Sequence, residues 1–323
     1  MGECNTVLSV RNLQVSFPTD RGITRVVDDI SFHVAQGKTL GIVGESGSGK
    51  SITSLALVGL VPRPGFVSGG EILFDDRDLT KLSDGELRSV RGSKLAMVFQ
   101  DPMTSLNPFL PVGLQIAEMT QLHLGHSRSE AREHAIKMLE AVGIPDARAR
   151  AGSYPHQFSG GMRQRVMIGM AIACRPKLLI ADEPTTALDV TIQAQILELL
   201  GRLKETSHVA VILITHDLGI VAETADHVSV MYGGRIFESA PARAVLCDPQ
   251  NPYTRALLRC IPSPAHRDEP LFQIAGQAPD LSHLPPQQCP FAERCPESIP
   301  RCREEYPPYH PVGDNHWSLC WVR

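Results

Sequence analysis

Eight consecutive residues, Gly44-Glu45-Ser46-Gly47-Ser48-Gly49-Lys50-Ser51, fit the spacing G-x-x-x-x-G-K-[ST] in full. Such a run suits phosphate groups. Its glycines let backbone N–H groups turn toward phosphate oxygens, its lysine brings a point charge to the β- and γ-phosphates, and its serine hydroxyl is a ligand for Mg2+. A following helix adds the positive end of its dipole. Further along, Leu178-Leu179-Ile180-Ala181 runs into Asp182 and Glu183. Asp182 is placed to hold the Mg2+ shell, and Glu183 to polarise an attacking water as a general base. An apolar strand ending in two acids is weak by itself, because strand ends often carry acids. Behind a complete phosphate loop, it reads as machinery for hydrolysing ATP with Mg2+.

A second constellation lies near the end of the chain. Cys289, Cys295, Cys302 and Cys320 follow the spacing C-x5-C-x6-C-x17-C, whereas Cys4, Cys174, Cys247 and Cys260 are scattered. A reducing compartment disfavours disulfides and turns attention to metal or redox chemistry. Structural zinc sites use C-x2-4-C pairs, which are absent here. Four thiolates also suit a [4Fe–4S] cluster, whose spacings are less stereotyped. A metal-free tail is the third reading.

The elements that must position these residues are legible as alternating and continuous apolar runs. Residues 7–17 and 26–34 alternate as half-buried strands do, and Thr39-Leu40-Gly41-Ile42-Val43 reads as a buried strand directly before the phosphate loop. A helix is expected from Ser51 to about Leu60, and strands at 71–74, 95–99, 178–181 and 211–214. Between about 103 and 175 the spacing turns helical, as in Ala135, Met138, Leu139 and Val142. The expected fold class is α/β, a mostly parallel sheet with an early antiparallel part and an inserted helical subdomain. From Pro262 onward the chain holds 12 of its 25 prolines, which excludes long helices and central strands. The expected division is an ATPase domain over 1–240, with its helical subdomain at 103–175, and a small Cys/Pro-rich extension over 241–323.

Composition bounds the function class. Charged residues are 20% and hydrophobic ones 42%, ordinary values for a globular protein. With 31 basic against 35 acidic residues and a net charge of -4, the chain lacks the basic excess of a dedicated nucleic-acid binder. No apolar run approaches the roughly 18 residues that cross a bilayer. The chain is therefore expected to be cytosolic, with any membrane association made through partners.

Other short motifs carry a resemblance. Ser159-Gly160-Gly161-Met162-Arg163-Gln164-Arg165 resembles the signature sequence of ABC-type ATPases. Gln100 after Met97-Val98-Phe99 resembles that family's Q-loop, Ala187-Leu188-Asp189 its D-loop, and His216 after Leu213-Ile214-Thr215 its switch histidine. The elements keep the family's order across about residues 7–240. The resemblance implies two such domains facing each other with two ATPs between them. Ser159, Gly160 and Gly161 would then reach the partner's γ-phosphate, and His216 the γ-phosphate in cis. Gln100 would sense metal and water, Asp189 would belong to the nucleotide site, and Phe17 would stack on adenine; a core role for Phe17 is the plainer alternative. The family's Leu-Ser-Gly-Gly-Gln is departed from at Phe158 and Met162, and Met162 removes an amide that could bond the partner's nucleotide.

Gln100-Asp101-Pro102-Met103-Thr104-Ser105-Leu106-Asn107-Pro108 and Tyr154-Pro155-His156-Gln157 resemble the dipeptide/oligopeptide/nickel importer branch. So does Asn251-Pro252-Tyr253-Thr254, where relatives usually have His-Pro-Tyr. The branch implies a different second ATPase as partner, two membrane permeases, an extracytoplasmic binding protein, and a [4Fe–4S] cluster on the four cysteines. Nickel, glutathione or another small solute remains open as cargo. A soluble ABC-type ATPase of DNA repair or translation usually carries tandem units, long coiled coils or zinc hooks, none of which is present. A degenerate regulator is opposed by intact Lys50, Asp182, Glu183 and His216.

Overall fold

The structure, a computed structural model, describes residues 5–20, 22–186, 188–261, 272–285 and 287–322. The chain divides into two compact units. The first comprises Met1–Leu8, Val34–Lys38 and Lys81–Ile212; the second comprises Ser9–His33, Thr39–Thr80 and Leu213–Arg323.

In the first unit the strands Leu95–Val98 and Leu178–Asp182 run parallel, with Leu95 opposite Leu178 and Val98 opposite Ala181. Every residue of Leu178–Asp182 is buried, as expected of a strand covered on both faces. The helical stretch follows. Val112–Leu124 buries Val112, Ile116 and Thr120 at four-residue steps and stops at Gly125, which takes φ +68. Arg128–Ala141 opens on a capping box, Ser127 with Glu130, and buries Ala131, Ala135 and Leu139 at the same spacing. Against these two packs the helix Gly160–Ile172. Each fully buried Ile or Leu here contributes about 1.5–3 kcal/mol.

The second unit is built on the strand Thr39–Val43, all five residues of which are buried. It runs parallel to His227–Tyr232, with Leu40 opposite His227 and Val43 opposite Val230. The order continues antiparallel through Arg235–Pro241, His316–Leu319 and Tyr309–Gly313. Residues after 241, which composition marks as loop-rich, thus add two strands at this end of the sheet. Pro311 falls on the outermost strand, where its missing N–H costs no ladder bond. A second sheet, largely in the same unit, has the order Gly22–Ala35, Thr6–Thr19, Phe66–Phe74, Arg77–Asp78.

An aromatic core joins the late segment to the phosphate-loop strand. Tyr232, Tyr253 and Phe291 meet with ring centroids 4.4–5.3 Å apart, in one buried cluster with Val43, Val230, Phe237 and Leu319. Beside it, Glu238 has no exposed surface. Its carboxylate accepts from Gln250 N at 2.7 Å, Asn251 N at 3.0 Å and His316 Nε2 at 2.8 Å, the company a buried charge requires.

Candidate functional site

The phosphate loop leaves Thr39–Val43 and enters the helix Lys50–Leu57, the strand–loop–helix context that its spacing requires. Gly49 takes φ +102, and a Cβ there would lie 2.9 Å from Val26 O. At Gly44 a Cβ would lie 2.1 Å from Met231 O. Both positions therefore need glycine. Lys50 is 5% exposed, and its Nζ donates to Gly44 O and Glu45 O, both at 2.8 Å. Ser48 N donates back to Glu45 O at 3.2 Å, which closes the loop into a cradle. Ser46 and Gly47 lie exposed at its tip, and Ser51 is half-buried on the helix.

Glu45 is held from both ends. Its N–H donates to the Tyr253 hydroxyl at 3.0 Å, and its carboxylate accepts from Arg294 Nη1 at 2.7 Å and Nη2 at 3.1 Å. Burial works against the Arg294 charge, but the hydrogen bonds to Glu45 and Tyr232 outweigh it and hold the guanidinium above the ordinary arginine range. In the same unit, His216 follows the strand Ala210–Thr215 and is exposed, one residue before Asp217 caps the next helix. Phe17 is half-buried against Gly65, whose missing side chain leaves its ring room: a Cβ there would lie 2.5 Å from Cε1 and Cζ.

The first unit gathers the acidic pair and the Q-loop glutamine. Asp182 is 4% exposed at the strand end. Glu183 turns the backbone into the left-handed region at φ +46. Its Oε2 accepts from Gln100 Nε2 and from Thr186 Oγ1, each at 2.8 Å. Gln100 thereby spends one of its two amide N–H donors and keeps its carbonyl oxygen as an acceptor. Ser159 caps the helix Gly160–Ile172, its Oγ accepting from Met162 N at 3.4 Å. Asp189 caps Val190–Ser207, accepting from Ile192 N at 3.0 Å. These two helix starts touch, since a Cβ on Gly161 would lie 2.6 Å from Ile192 Cγ2. Ala187 of the D-loop motif lies outside the described residues.

The expected iron–sulfur cluster is corrected by the structure. Cys289, Cys295, Cys302 and Cys320 do line one cavity, with Phe237, Phe291 and Trp321. Its volume is about 20 Å3, room for about one water and not for a cluster. Among the described residues, no group of three or more His, Cys, Asp or Glu is arranged to hold a metal ion. The thiols serve instead as packing. Burial pushes Cys289 up to about 12 and Cys295 up to about 11, as expected of thiols packed in an apolar core.

Sequence reasoning missed Thr186, Tyr253 and Arg294 as parts of the site. Thr186 lies three residues from Glu183 and could have been found by asking what holds a carboxylate at a turn. No local spacing joins Arg294 to Glu45.

Comparison with known proteins agrees with the geometry. A family model described as ABC transporter matches residues 27–186, and one described as the C-terminal region of oligopeptide/dipeptide transporters matches residues 237–302. The dipeptide transport ATP-binding protein of Bacillus subtilis is 50% identical over 98% of this chain and 95% of its own length. The oligopeptide transport ATP-binding protein of Haemophilus influenzae is 50% identical over 98% of each chain. Among solved structures, a dimeric ATP-binding cassette in a post-hydrolysis state, bound to ADP and phosphate, superposes with a TM-score of 0.66 at 27% identity, covering 73% of this chain and 99% of that one. The chain belongs to the ATP-binding proteins of the oligopeptide/dipeptide branch of ABC transporters.

Proposed function

We infer that this chain is the ATP-hydrolysing subunit that powers an importer of dipeptides or oligopeptides across the cell membrane. Among the described residues, no helix is long and apolar enough to cross a membrane, in keeping with a subunit held peripherally at the cytoplasmic face by partners. Those partners are a second ATPase of the same kind and two permeases, with an extracytoplasmic binding protein delivering the peptide.

The residues divide the work. The glycine-bearing loop from Gly44 to Ser51 fits a polyphosphate, because its backbone turns inward at positions where a side chain would collide. Lys50, once released from Gly44 O and Glu45 O, brings its ammonium to the β/γ-phosphates. The Ser51 hydroxyl, the Asp182 carboxylate and the Gln100 carbonyl oxygen are the hard oxygen donors that Mg2+ takes. Bound Mg2+ supplies charge neutralisation at the phosphates. Glu183 orients and deprotonates the attacking water, Phe17 offers a ring face to adenine, and His216 contacts the γ-phosphate. Ser159 and Gly160, exposed at a helix start, and Gly161, buried directly after them, serve the nucleotide of the paired ATPase, with Asp189 alongside.

The observation that carries this reading is Glu183, aimed by hydrogen bonds from Gln100 and Thr186 at the end of the acidic strand. Phosphate release by the purified transporter is the test. Glu183→Gln should lower turnover by about 100-fold or more while MgATP still binds. Turnover close to that of the unaltered complex would remove this chain's site from the reaction and leave catalysis to the paired ATPase.

A further inference from the structure

We propose that Arg294, from the segment that follows the ATPase motifs, is a positioning residue of the nucleotide site: it neutralises and anchors Glu45 within the phosphate loop. The inference rests on the reading of that loop as an ATP site and goes beyond it, because residue 294 lies outside the phosphate-loop, Q-loop, signature, D-loop and switch-histidine motifs.

A carboxylate is out of place in a loop that serves phosphates. Glu45 directly follows Gly44, and its own carbonyl accepts from Lys50 Nζ at 2.8 Å, so its charge belongs to the cradle itself. Left unpaired, it would repel a polyanion through a poorly screened path. The guanidinium answers that charge with the two-pronged geometry that suits a carboxylate, at 2.7 and 3.1 Å. The Arg294 side chain is 8% exposed and that of Glu45 is 25% exposed, so solvent does little of the neutralising.

The guanidinium is also fixed in place. Nε donates to Ala275 O at 2.8 Å, Nη1 to Tyr232 OH at 3.0 Å, and Nη2 to Ile274 O at 3.4 Å. With the two bonds to Glu45, all five N–H groups are used. Arg294 therefore has no free donor for a nucleotide, and its effect must pass through Glu45. The Tyr253 hydroxyl, which accepts from Glu45 N at 3.0 Å, adds a second tether from the same late part of the chain. The late segment thus holds Glu45 by side chain and by main chain, and nucleotide affinity becomes dependent on that segment being docked.

The test is equilibrium binding of MgATP to the full chain, with thermal melting alongside, for the unaltered protein and for Arg294→Gln, Arg294→Lys, Glu45→Gln and the double variant Arg294→Gln/Glu45→Gln. Arg294→Gln can keep at most the bond to Ala275 O, strips the charge, and should weaken MgATP about tenfold, a loss that shrinks as salt rises. Arg294→Lys retains the charge but not the two-pronged grip, and should weaken MgATP less than Arg294→Gln does. The double variant removes the offending carboxylate together with its partner, and its affinity should return to within about threefold whatever its melting temperature. Arg294→Gln binding as tightly as the unaltered chain, or a double variant as weak as Arg294→Gln, would overturn the proposal; the second result would make Arg294 a plain scaffold. Failure of the unaltered chain to bind MgATP would be a different result, because it would sink the reading of the phosphate loop itself.

Discussion

Glu183 carries an unusual backbone for a residue of its kind. A side chain with a Cβ in the left-handed region costs about 1–2 kcal/mol, and such strain survives where surrounding structure enforces it. Here the enforcement is visible: Gln100 and Thr186 both donate to Oε2 at 2.8 Å. A hydrogen bond to a charged acceptor is worth about 1.5–3 kcal/mol, so Thr186→Val should lower kcat about tenfold by loosening the aim of the base. MgATP affinity should stay unchanged. Steady-state phosphate release by the purified transporter, analysed for kcat and KM separately, checks this. A rise in KM at constant kcat would instead place Thr186 on the nucleotide. The acid pair was legible in the sequence because an apolar strand pointed straight at it. Thr186 was not, because a threonine in a turn has many uses and only the fold shows which carboxylate it faces.

Asn251 shows the same lesson for an element. By sequence it departs from the usual His-Pro-Tyr, and nothing local says what the change does. In the structure it is 2% exposed and starts the helix Pro252–Arg259. Its Oδ1 accepts from Tyr253 N at 3.0 Å, while Nδ2 donates to Phe237 O and Leu319 O, each at 3.0 Å. One carboxamide thus caps a helix and ties together two neighbouring strands. Asn251→Ala removes the cap and strands two buried carbonyls, for an expected loss of about 2–4 kcal/mol, read as a lower urea midpoint at constant m. Tyr253, two residues on, transmits this order to the phosphate loop. Tyr253→Phe deletes the acceptor for Glu45 N–H and should cost about 1–2 kcal/mol, with a rise in KM for ATP. Equal KM for the two proteins would confine the hydroxyl to stability. The early strands were legible because their alternation is regular. The strands at 309–313 and 316–319 were hidden by proline-rich composition, which a sheet edge tolerates and a centre does not. The cysteine spacing misled in the opposite direction: four thiols near in space satisfy a motif, yet packing has closed the space a cluster would need.

At the scale of the whole molecule, net charge is small, so its acid response should come from particular buried groups rather than from general repulsion. His227 stands out. It lies on the strand beside Thr39–Val43, within hydrogen-bond distance of the Ser239 hydroxyl at 2.9 Å. Burial, reinforced by the charges of His33 and His316 when protonated, lowers it from 6.5 to about 4. The folded value thus lies below the unfolded one. Above pH 6.5 the ring is neutral in both states, and folding is not opposed. As pH falls from about 6.5 toward 4, the unfolded chain takes up the proton first, and stability is lost through that window by at most about 3 kcal/mol. Below about 4 the loss levels off. Carboxylates held ionised by partners, such as Asp280, lowered to about 2 chiefly by its hydrogen bonds to Ser282, add their own loss further down. The two sources separate in urea unfolding measured from pH 7.5 to pH 4.5. His227→Gln removes the titrating ring and should flatten the curve across that interval, at some fixed cost in packing. Curves for the two proteins that ran parallel over the whole interval would mean that His227 is protonated in the folded chain as readily as in the unfolded one. The acid sensitivity of the sheet that carries the phosphate loop would then have to originate in its other histidines.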